Sequence, residues 1–428
     1  MRSSDKYILV PIYLFCILVM ISDYRAINNQ MLGAISTIAT IFYLFVNRRK
    51  HTYITLEEKT KKHVFLFIAY FTITSMLNFE PSSWFTSIMI YIIVFVPFLL
   101  FDYIKNNNDV KSMQKLLIGF IFIWNIFVYL CFETCTSIPN LARMMASNRK
   151  GFIDMLNGGG YPIGYGCAIL TTYIFHLLIN NKLKAFPIKI LAIIEIIFMS
   201  MTIFAINSFV ILISMLLGVV ISVINKFAKS AGSKVFSYII SGFIFLLIYL
   251  NIGGLLGYLI KNTQDEFWNR RWTESYEALI LDQNSSHVDK REMVYQLSID
   301  GIIESPIFGN GYKFGNVFNK DESYGVGNHS TVIDTLAQFG IVGGIPLLLF
   351  LLYPLINARR KQEDFTYLVP FYVMSCLNPT LRCYHVMVII YLIIPCAQYL
   401  LNKDNYSQCG DKFPKFQRRN QMRFVPHL

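Results

Sequence analysis

The strongest constraint on this chain is the recurrence, from one end to the other, of apolar runs sixteen to twenty-five residues long. Coiled at about 1.5 Å per residue, such runs rise about 24 to 37 Å, the scale of the roughly 30 Å hydrocarbon core of a bilayer. A single water-facing core cannot absorb so many of them, so lipid must meet most of their surface. In lipid each backbone N–H and C=O has to be paired within its own segment, which makes the runs helices. Composition agrees: 54% of the 428 residues are hydrophobic and 15% charged, against roughly 25% charged in a soluble protein. A soluble enzyme is excluded, and the expected fold class is an all-α polytopic membrane protein.

About twelve transmembrane helices are expected, near 7–22, 26–46, 63–79, 84–104, 116–133, 161–179, 188–206, 208–224, 236–259, 341–357, 365–376 and 386–401. The formal net charge of +12 follows from how basic residues are distributed between them. Of the 38 Lys and Arg, 26 fall in segments 1–6, 47–62, 105–115, 180–189, 225–235, 358–364 and 402–428, which share one side of the membrane; 12 fall on the other. The rule that short basic loops stay inside makes the first side cytoplasmic, with both termini there. Nucleic acid is therefore not needed to explain the charge, and no nucleic-acid partner is expected. The first run follows Arg2 and Lys6 but precedes bulky Ser22-Asp23-Tyr24-Arg25 rather than a small-residue cleavage site, so it reads as a retained helix.

The expected organisation is helices one to nine over 1–259, including a small outer loop at 134–160, a large outer loop at 260–340, helices ten to twelve over 341–401, and a basic cytoplasmic tail at 402–428. Eight cysteines form no framework; the pairs Cys131/Cys135 and Cys376/Cys383 are close enough in sequence to leave a disulfide open at either. The seven histidines are scattered and no Cys-x-x-Cys occurs, so no metal is expected, and Gly309-x-Gly311 follows no βαβ pattern that would hold a nucleotide.

Chemistry is expected in the outer loops. Phe267, Trp268, Trp272, Tyr276, Leu279 and Ile280 recur at helical spacing, as in a helix lying on the bilayer. Ser286 three residues before Asp289 signals a second helix, with Met293, Val294, Leu297 and Ile302 as its stripe and Pro306 as its limit. A turn-rich stretch follows, Pro306-Ile307-Phe308-Gly309-Asn310-Gly311-Tyr312. Further on, Thr331 and Asp334 form a capping pair, Val332, Ile333, Leu336 and Phe339 give an apolar face, and Gly340 ends the helix. His329 then precedes a helix N-terminus. Free N–H groups there suit phosphate oxygens, and the positive dipole end favours neutral imidazole, which can act as a base. An interfacial histidine on a helix that only caps the outer face reads equally well from periodicity alone.

In order, Arg291-Glu292-Met293-Val294-Tyr295-Gln296, Glu304-Ser305-Pro306-Ile307-Phe308-Gly309-Asn310-Gly311, Asn328-His329 and Gln338-Phe339-Gly340-Ile341-Val342-Gly343 resemble the large outer loop of bacterial O-antigen polymerases and O-antigen ligases. Arg149, separated from Gly160 by ten residues, resembles that superfamily's pattern in the smaller loop, and His329 and Gly340 repeat the spacing. One departure stands out. Many members carry a serine–arginine pair where this chain has Ser208-Phe209, so a third cation would come from Arg270, Arg271 or Arg382.

The resemblance implies a GT-C-like glycosyltransferase of the bacterial cytoplasmic (inner) membrane, with its active site facing outside. Its substrate would be a polyprenyl-diphosphate-linked oligosaccharide met in membrane lipid, with no cofactor. A chain-length regulator and a flippase of the same pathway are candidate partners. Arg149 and Arg291 would bind the diphosphate leaving group through guanidinium forks, and His329 would take the proton of the acceptor hydroxyl. Polymerase is preferred to ligase, and a lipid-linked oligosaccharide flippase is the alternative from another class. Arg149 and Arg291 read alternatively as anchors for lipid phosphates, and Glu195, the one acid well inside a span, as a functional group or a bundle hydrogen-bonding partner. His176 reads as structural; Tyr161, Trp268 and Trp272 read as sugar platforms or as an interfacial belt.

The charge partition generates a topology prediction: labels at positions 52, 108, 230 and 410 report the cytoplasm, and at 150, 285 and 320 the outside. Labelling of 285 only after access to the cytoplasm refutes the arrangement.

Overall fold

The computed structural model describes residues 69, 95–102, 104–105, 110–138, 160–227, 252–264, 269–270, 272–273, 276–277, 286–310, 327, 329–360 and 365–409; at 252, 255, 286–292, 359–360, 382 and 403–409 it describes the backbone alone. In chain order the helices are α1 (Val110–Ser137), α2 (Tyr161–Ile179), α3 (Phe186–Ile206), α4 (Phe209–Phe227), α5 (Ile252–Asn262), α6 (Ser286–Glu304), α7 (Thr331–Leu351), α8 (Tyr353–Arg360) and α9 (Leu368–Leu377). A 3-10 turn, Thr380–Arg382, leads to α10 (Tyr384–Val388), which continues through a π-helical turn, Ile389–Ile393, into α11 (Ile394–Cys409). Among the described residues no strand occurs. Six stretches, α1, α2, α3, α4, α7 and the continuous Tyr384–Asn402, are long and apolar enough to cross a membrane. The chain is an all-α polytopic membrane protein.

The expected span at 161–179 coincides with α2, and those at 188–206 and 208–224 fall within three residues of α3 and α4. Expected spans at 7–22, 26–46 and 63–79 lie outside the described residues apart from Ala69, and those at 84–104 and 236–259 enter them only at Phe95 and Ile252. The span expected at 341–357 begins where expected, at the break that Gly340 makes in α7, and it stops earlier, at Leu351. Pro354 supplies the reason for the stop: it has no N–H to give the carbonyl of Phe350, and the Tyr391 hydroxyl donates to that carbonyl instead, at 3.1 Å. Cys131, Cys135, Cys376 and Cys383 are free thiols.

Helix α2 is the axis of the bundle and packs on α3, α4 and α9. Small residues let its neighbours approach: a Cβ on Gly166 would lie 2.3 Å from the Trp124 ring of α1, and one on Gly218 of α4 would lie 2.8 Å from Thr172 and 2.9 Å from Pro370. Close backbone approach of this kind drives helix association in lipid, where exclusion of water does not. Beside α2, Phe95 and Phe98 meet Phe350 with ring centroids 4.4 and 5.3 Å apart, and Phe350 stacks on Tyr391 at 5.0 Å.

The element that organises the loop side is a backbone exchange between the turn after α6 and a break inside α7. Gly340 has φ 59° and ψ −165°, so α7 is two helical pieces joined at that residue. The break releases the carbonyl of Ala337 and the N–H groups of Ile341 and Val342. Each is taken up by the turn: Asn310 N–H donates to Ala337 O at 3.0 Å, Ile341 N–H to Pro306 O at 2.9 Å, and Val342 N–H to Ile307 O at 3.1 Å. Gly309, with φ 74°, lies directly against Gly340. A Cβ on Gly309 would stand 2.4 Å from the Gln338 carbonyl oxygen, and one on Gly340 would stand 2.4 Å from the Ile307 carbonyl. Two glycines in left-handed backbone are required because the two main chains touch.

A second observation shows how sharply α7 turns. The Tyr372 hydroxyl of α9 donates to Leu351 O at 3.0 Å, while Thr331 N–H donates to Asn378 O at 3.2 Å. Six residues of α9 rise about 9 Å, whereas a straight α7 would need about 30 Å between the same two levels. The break at Gly340 accommodates the difference.

Gly340→Ala therefore introduces both a positive-φ side chain and a backbone clash, and is expected to destabilise the protein by about 3 kcal/mol or more. Thermal unfolding of the purified protein in detergent checks this. A Gly340→Ala protein with unchanged stability would show that the two chains separate at no cost.

Candidate active site

His329 stands exposed at the entrance to α7, between buried neighbours Gly327 and Ser330. Its place follows from how α7 begins. Ser330 is the N-cap, its hydroxyl accepting from Ile333 N–H at 3.3 Å, one residue earlier than the Thr331 cap expected from sequence. Asp334 completes a reciprocal cap: one carboxylate oxygen accepts from Ser330 N–H at 2.9 Å. Its other oxygen accepts from the Ser298 hydroxyl of α6 at 2.7 Å, and Ser298 in turn accepts from Gly327 N–H at 2.8 Å. Gly327 lies so close to α6 that a Cβ there would overlap the Val294 carbonyl.

This network sets the histidine. Nδ1 of His329 is 3.2 Å from Gly327 O. A carbonyl can only accept, so Nδ1 carries the proton and the Nε2 lone pair is left for another group. The chain of bonds Asp334–Ser298–Gly327 thus holds the carbonyl that selects the tautomer.

The expectation that the helix start would cradle phosphate is corrected. Ser330 N–H is taken by Asp334, Ile333 N–H by the Ser330 hydroxyl, and Thr331 N–H by Asn378 O. An N-terminus so occupied offers little to an anion, which leaves the expected side-chain cations as the candidates for phosphate.

Two of those cations belong to segments that meet the His329 helix. Arg291 lies on α6 four residues before Tyr295 and seven before Ser298, spacings that share one helix face. Ser298 joins that face to α7, and the Tyr295 hydroxyl lies 3.5 Å from Leu377 O. Arg382 ends the 3-10 turn whose Leu381 N–H donates to the Thr331 hydroxyl at 3.3 Å. The same hydroxyl donates to Asn378 O at 3.0 Å, and Thr380 bonds Ser375 at 2.6 Å. Gly160 caps α2 nearby, because His385, three residues after Arg382, donates from Nε2 to Pro162 O at 2.5 Å. The start of α2, to which the small outer loop connects, therefore adjoins the Arg382 turn.

Other expected residues fall elsewhere. Arg270 lies in a helical piece bound to the end of α5, where Asn269 donates to Ile260 O at 2.7 Å and Thr263 O at 3.0 Å. In the same piece Trp272 meets Phe209 edge-on at 5.5 Å, so an aromatic pair occupies the start of α4, where the resembling superfamily often has arginine. Glu195 sits midway along α3 and accepts from the Asn125 amide of α1 at 2.7 Å, a bundle contact distant from His329. Tyr161 is the first residue of α2 and half-buried. Arg149, Trp268, Arg271 and Gly311 lie outside the described residues. Among the described residues no group of three or more His, Cys, Asp or Glu is disposed to hold a metal ion. Ser298, Gly327 and His385 were not foreseen; only Gly327, beside Asn328-His329, carried any local signal.

The depth of this corner follows from α9. Thr366, just before it, lies 3.5 Å from His176 Nδ1 near the far end of α2, and twelve residues later Asn378 meets Thr331. Twelve residues of helix rise about 18 Å, less than the roughly 30 Å hydrocarbon core. The corner around His329 therefore lies about 18 Å along the bundle from the Thr366–His176 contact.

The network is expected to behave as one unit. Ser298→Ala leaves Gly327 N–H and an Asp334 oxygen unpaired and should cost about 1 to 3 kcal/mol; Asp334→Asn should cost about 1 kcal/mol through the cap. In a double-mutant cycle read by thermal unfolding, the pair should cost clearly less than the sum. Strict additivity would separate the two residues.

Residues 194–348, which run from α3 through the Gly340 break, match a family model described as O-antigen ligase. No curated protein and no solved structure matches the chain significantly.

Proposed function

We propose that this chain, a member of the O-antigen polymerase/ligase superfamily on the strength of the match over residues 194–348, is a glycosyltransferase that lengthens a polyprenyl-diphosphate-linked oligosaccharide at the outer face of the bacterial cytoplasmic membrane. The family supports function of the O-antigen polymerase/ligase type; polymerase action, absence of a metal and the residue roles are the proposal. The observation that carries it is His329, exposed at the entrance to α7, with Nδ1 committed to Gly327 O and Nε2 left to accept a proton.

The reaction joins an acceptor hydroxyl to the anomeric carbon of the donor sugar and breaks the bond from that carbon to the polyprenyl diphosphate. Nε2 of His329 takes the hydroxyl proton as the oxygen attacks. The diphosphate leaves with the electron pair of the broken bond, and negative charge grows on it. Arginine forks stabilise such charge best, since each offers paired N–H donors to two oxygens. Arg291 and Arg149 are assigned that role, and Arg382 is the third cation, since its turn bonds directly to Thr331. The lipid tail stays in the bilayer throughout.

His329→Ala, Arg291→Ala and Arg149→Ala are each expected to lower chain formation by a purified protein given only the lipid-linked repeat unit, on the order of a hundredfold or more. Arg291→Lys should recover part of the loss, because an ammonium keeps the charge without the fork. Chelator should change nothing. Normal product from a well-expressed His329→Ala protein would remove the histidine from the reaction.

The match to a family described as O-antigen ligase favours a second reading, a ligase that moves finished polymer to a surface acceptor. The two differ in what a deletion strain accumulates. Loss of a polymerase leaves single units, attached or carrier-linked; loss of a ligase leaves long polymer stranded on the carrier. Long carrier-linked polymer would replace the polymerase assignment with the ligase, and units retained on the cytoplasmic leaflet would indicate a flippase.

A further inference from the structure

We propose that His385 is a positioning residue for the reaction: its hydrogen bond to Pro162 O holds the start of α2, and with it the chain leading from Arg149, at a fixed place against the Arg382 turn and His329. The inference rests on the proposed function, because the roles assigned to Arg149, Arg382 and His329 give this tie its chemical consequence. His385 itself is fully buried in the first turn of α10 and reaches no substrate.

Three segments remote in sequence meet at this corner. The start of α7 is fastened to the turn after α9 by the Thr331 bonds to Asn378 O and by Leu381 N–H to the Thr331 hydroxyl. It also carries its own lock, the reciprocal cap of Ser330 and Asp334. The start of α2 has no lock of that kind, since its N-cap is Gly160 and makes no side-chain cap. Ile206 of α3 and Ile211 of α4 press on one side of it, so closely that a Cβ on Gly164 would lie 3.1 and 2.7 Å from their side chains. Apolar packing is not directional and lets a helix end slide, whereas a hydrogen bond fixes distance and direction together. His385 supplies that bond, at 2.5 Å.

The bond does more than satisfy a polar group. In a regular helix the carbonyl of Pro162 receives the N–H of Gly166, four residues on, so it has a partner without the imidazole. A buried polar ring is costly where an apolar one could pack. This ring is held from a second side by Trp124 of α1, whose centroid lies 5.6 Å away at 39°. Trp124 is itself pressed onto α2, where a Cβ on Gly166 would stand 2.3 Å from the indole. Held between α1 and α2, the imidazole aims Nε2 at one carbonyl. Gly160 stands two residues before Pro162, and Arg382 three residues before His385. The tie therefore sets the spacing of two segments whose cations are assigned to the diphosphate.

The test uses the full-length protein and the lipid-linked repeat unit, with steady-state kinetics and hydrogen exchange as readouts. His385→Phe keeps a ring and removes the donor. It is expected to lower kcat on the order of tenfold or more with KM little changed, because misplaced cations weaken the transition state and not the ground state. His385→Gln, whose amide reaches as far as Nε2, should restore most of the rate; His385→Asn, one carbon shorter, should not. Amides of 163–166 should exchange faster in the Phe and Asn variants, and those of 333–338 should not. Thermal unfolding shows which variants are folded, and either the Phe or the Asn variant serves if the other is not. Wild-type kcat in folded His385→Phe, equal loss in the Gln and Asn variants, or unchanged exchange at the start of α2 overturns the positioning role. A wild-type protein that makes no polymer overturns the proposed reaction instead, and the exchange comparison alone then decides whether His385 holds α2.

Discussion

Three main-chain hydrogen bonds between Pro306–Asn310 and the break at Gly340 are the constraint on which the loop side of this protein depends. In a membrane protein, irregular backbone is tolerated only where protein satisfies it. Here two irregular segments satisfy each other, and each supplies the groups the other lacks. The exchange joins the end of α6 to the middle of α7, so the two helices cannot drift apart at that point. Ser298 then closes the other end of the same pair through Gly327 and Asp334. With the helix pair tied at two levels, the N-cap Ser330 of α7 has little freedom left, and His329 is its neighbour.

The polar work around His329 is done by groups that are almost all buried. Ser298, Ser330, Thr331, Asp334 and Thr380 are each 5% exposed or less, while the imidazole itself is open. Buried polar groups are expensive unless paired, and paired ones specify a single arrangement. The His329 ring gains its orientation from such a shell, because the Gly327 carbonyl that its Nδ1 meets is itself held by Ser298.

Much of this was legible in the chain itself. The 3.6-residue periodicity and turn signals place α2 and α6 almost to the residue, and the glycine at 340 is recognisable as a helix interruption. Less was legible wherever the deciding partner is remote in sequence. Ser330 and Thr331 are both good caps; the choice between them rests on Asp334 and on the carbonyl of Asn378, 47 residues away. The same carbonyl explains why the free N–H groups expected before α7 are taken. Ser298 has no local signature, since a serine amid Leu297 and Ile299 looks like any helix position until Gly327 is folded against it. Gly309 and Gly340 were each visible as turn or end residues, yet nothing local indicates that they touch.

Helix α9 is only ten residues long, and the turn after it, Asn378–Cys383, is folded into the protein rather than raised above it. On the proposed function, the lipid-anchored reactant reaches that corner by diffusion within the leaflet and not by descent from the solution. Encounter is then a two-dimensional search, governed by the surface density of carriers in the membrane and by lipid viscosity. The bulk concentration of any dissolved sugar has no part in it.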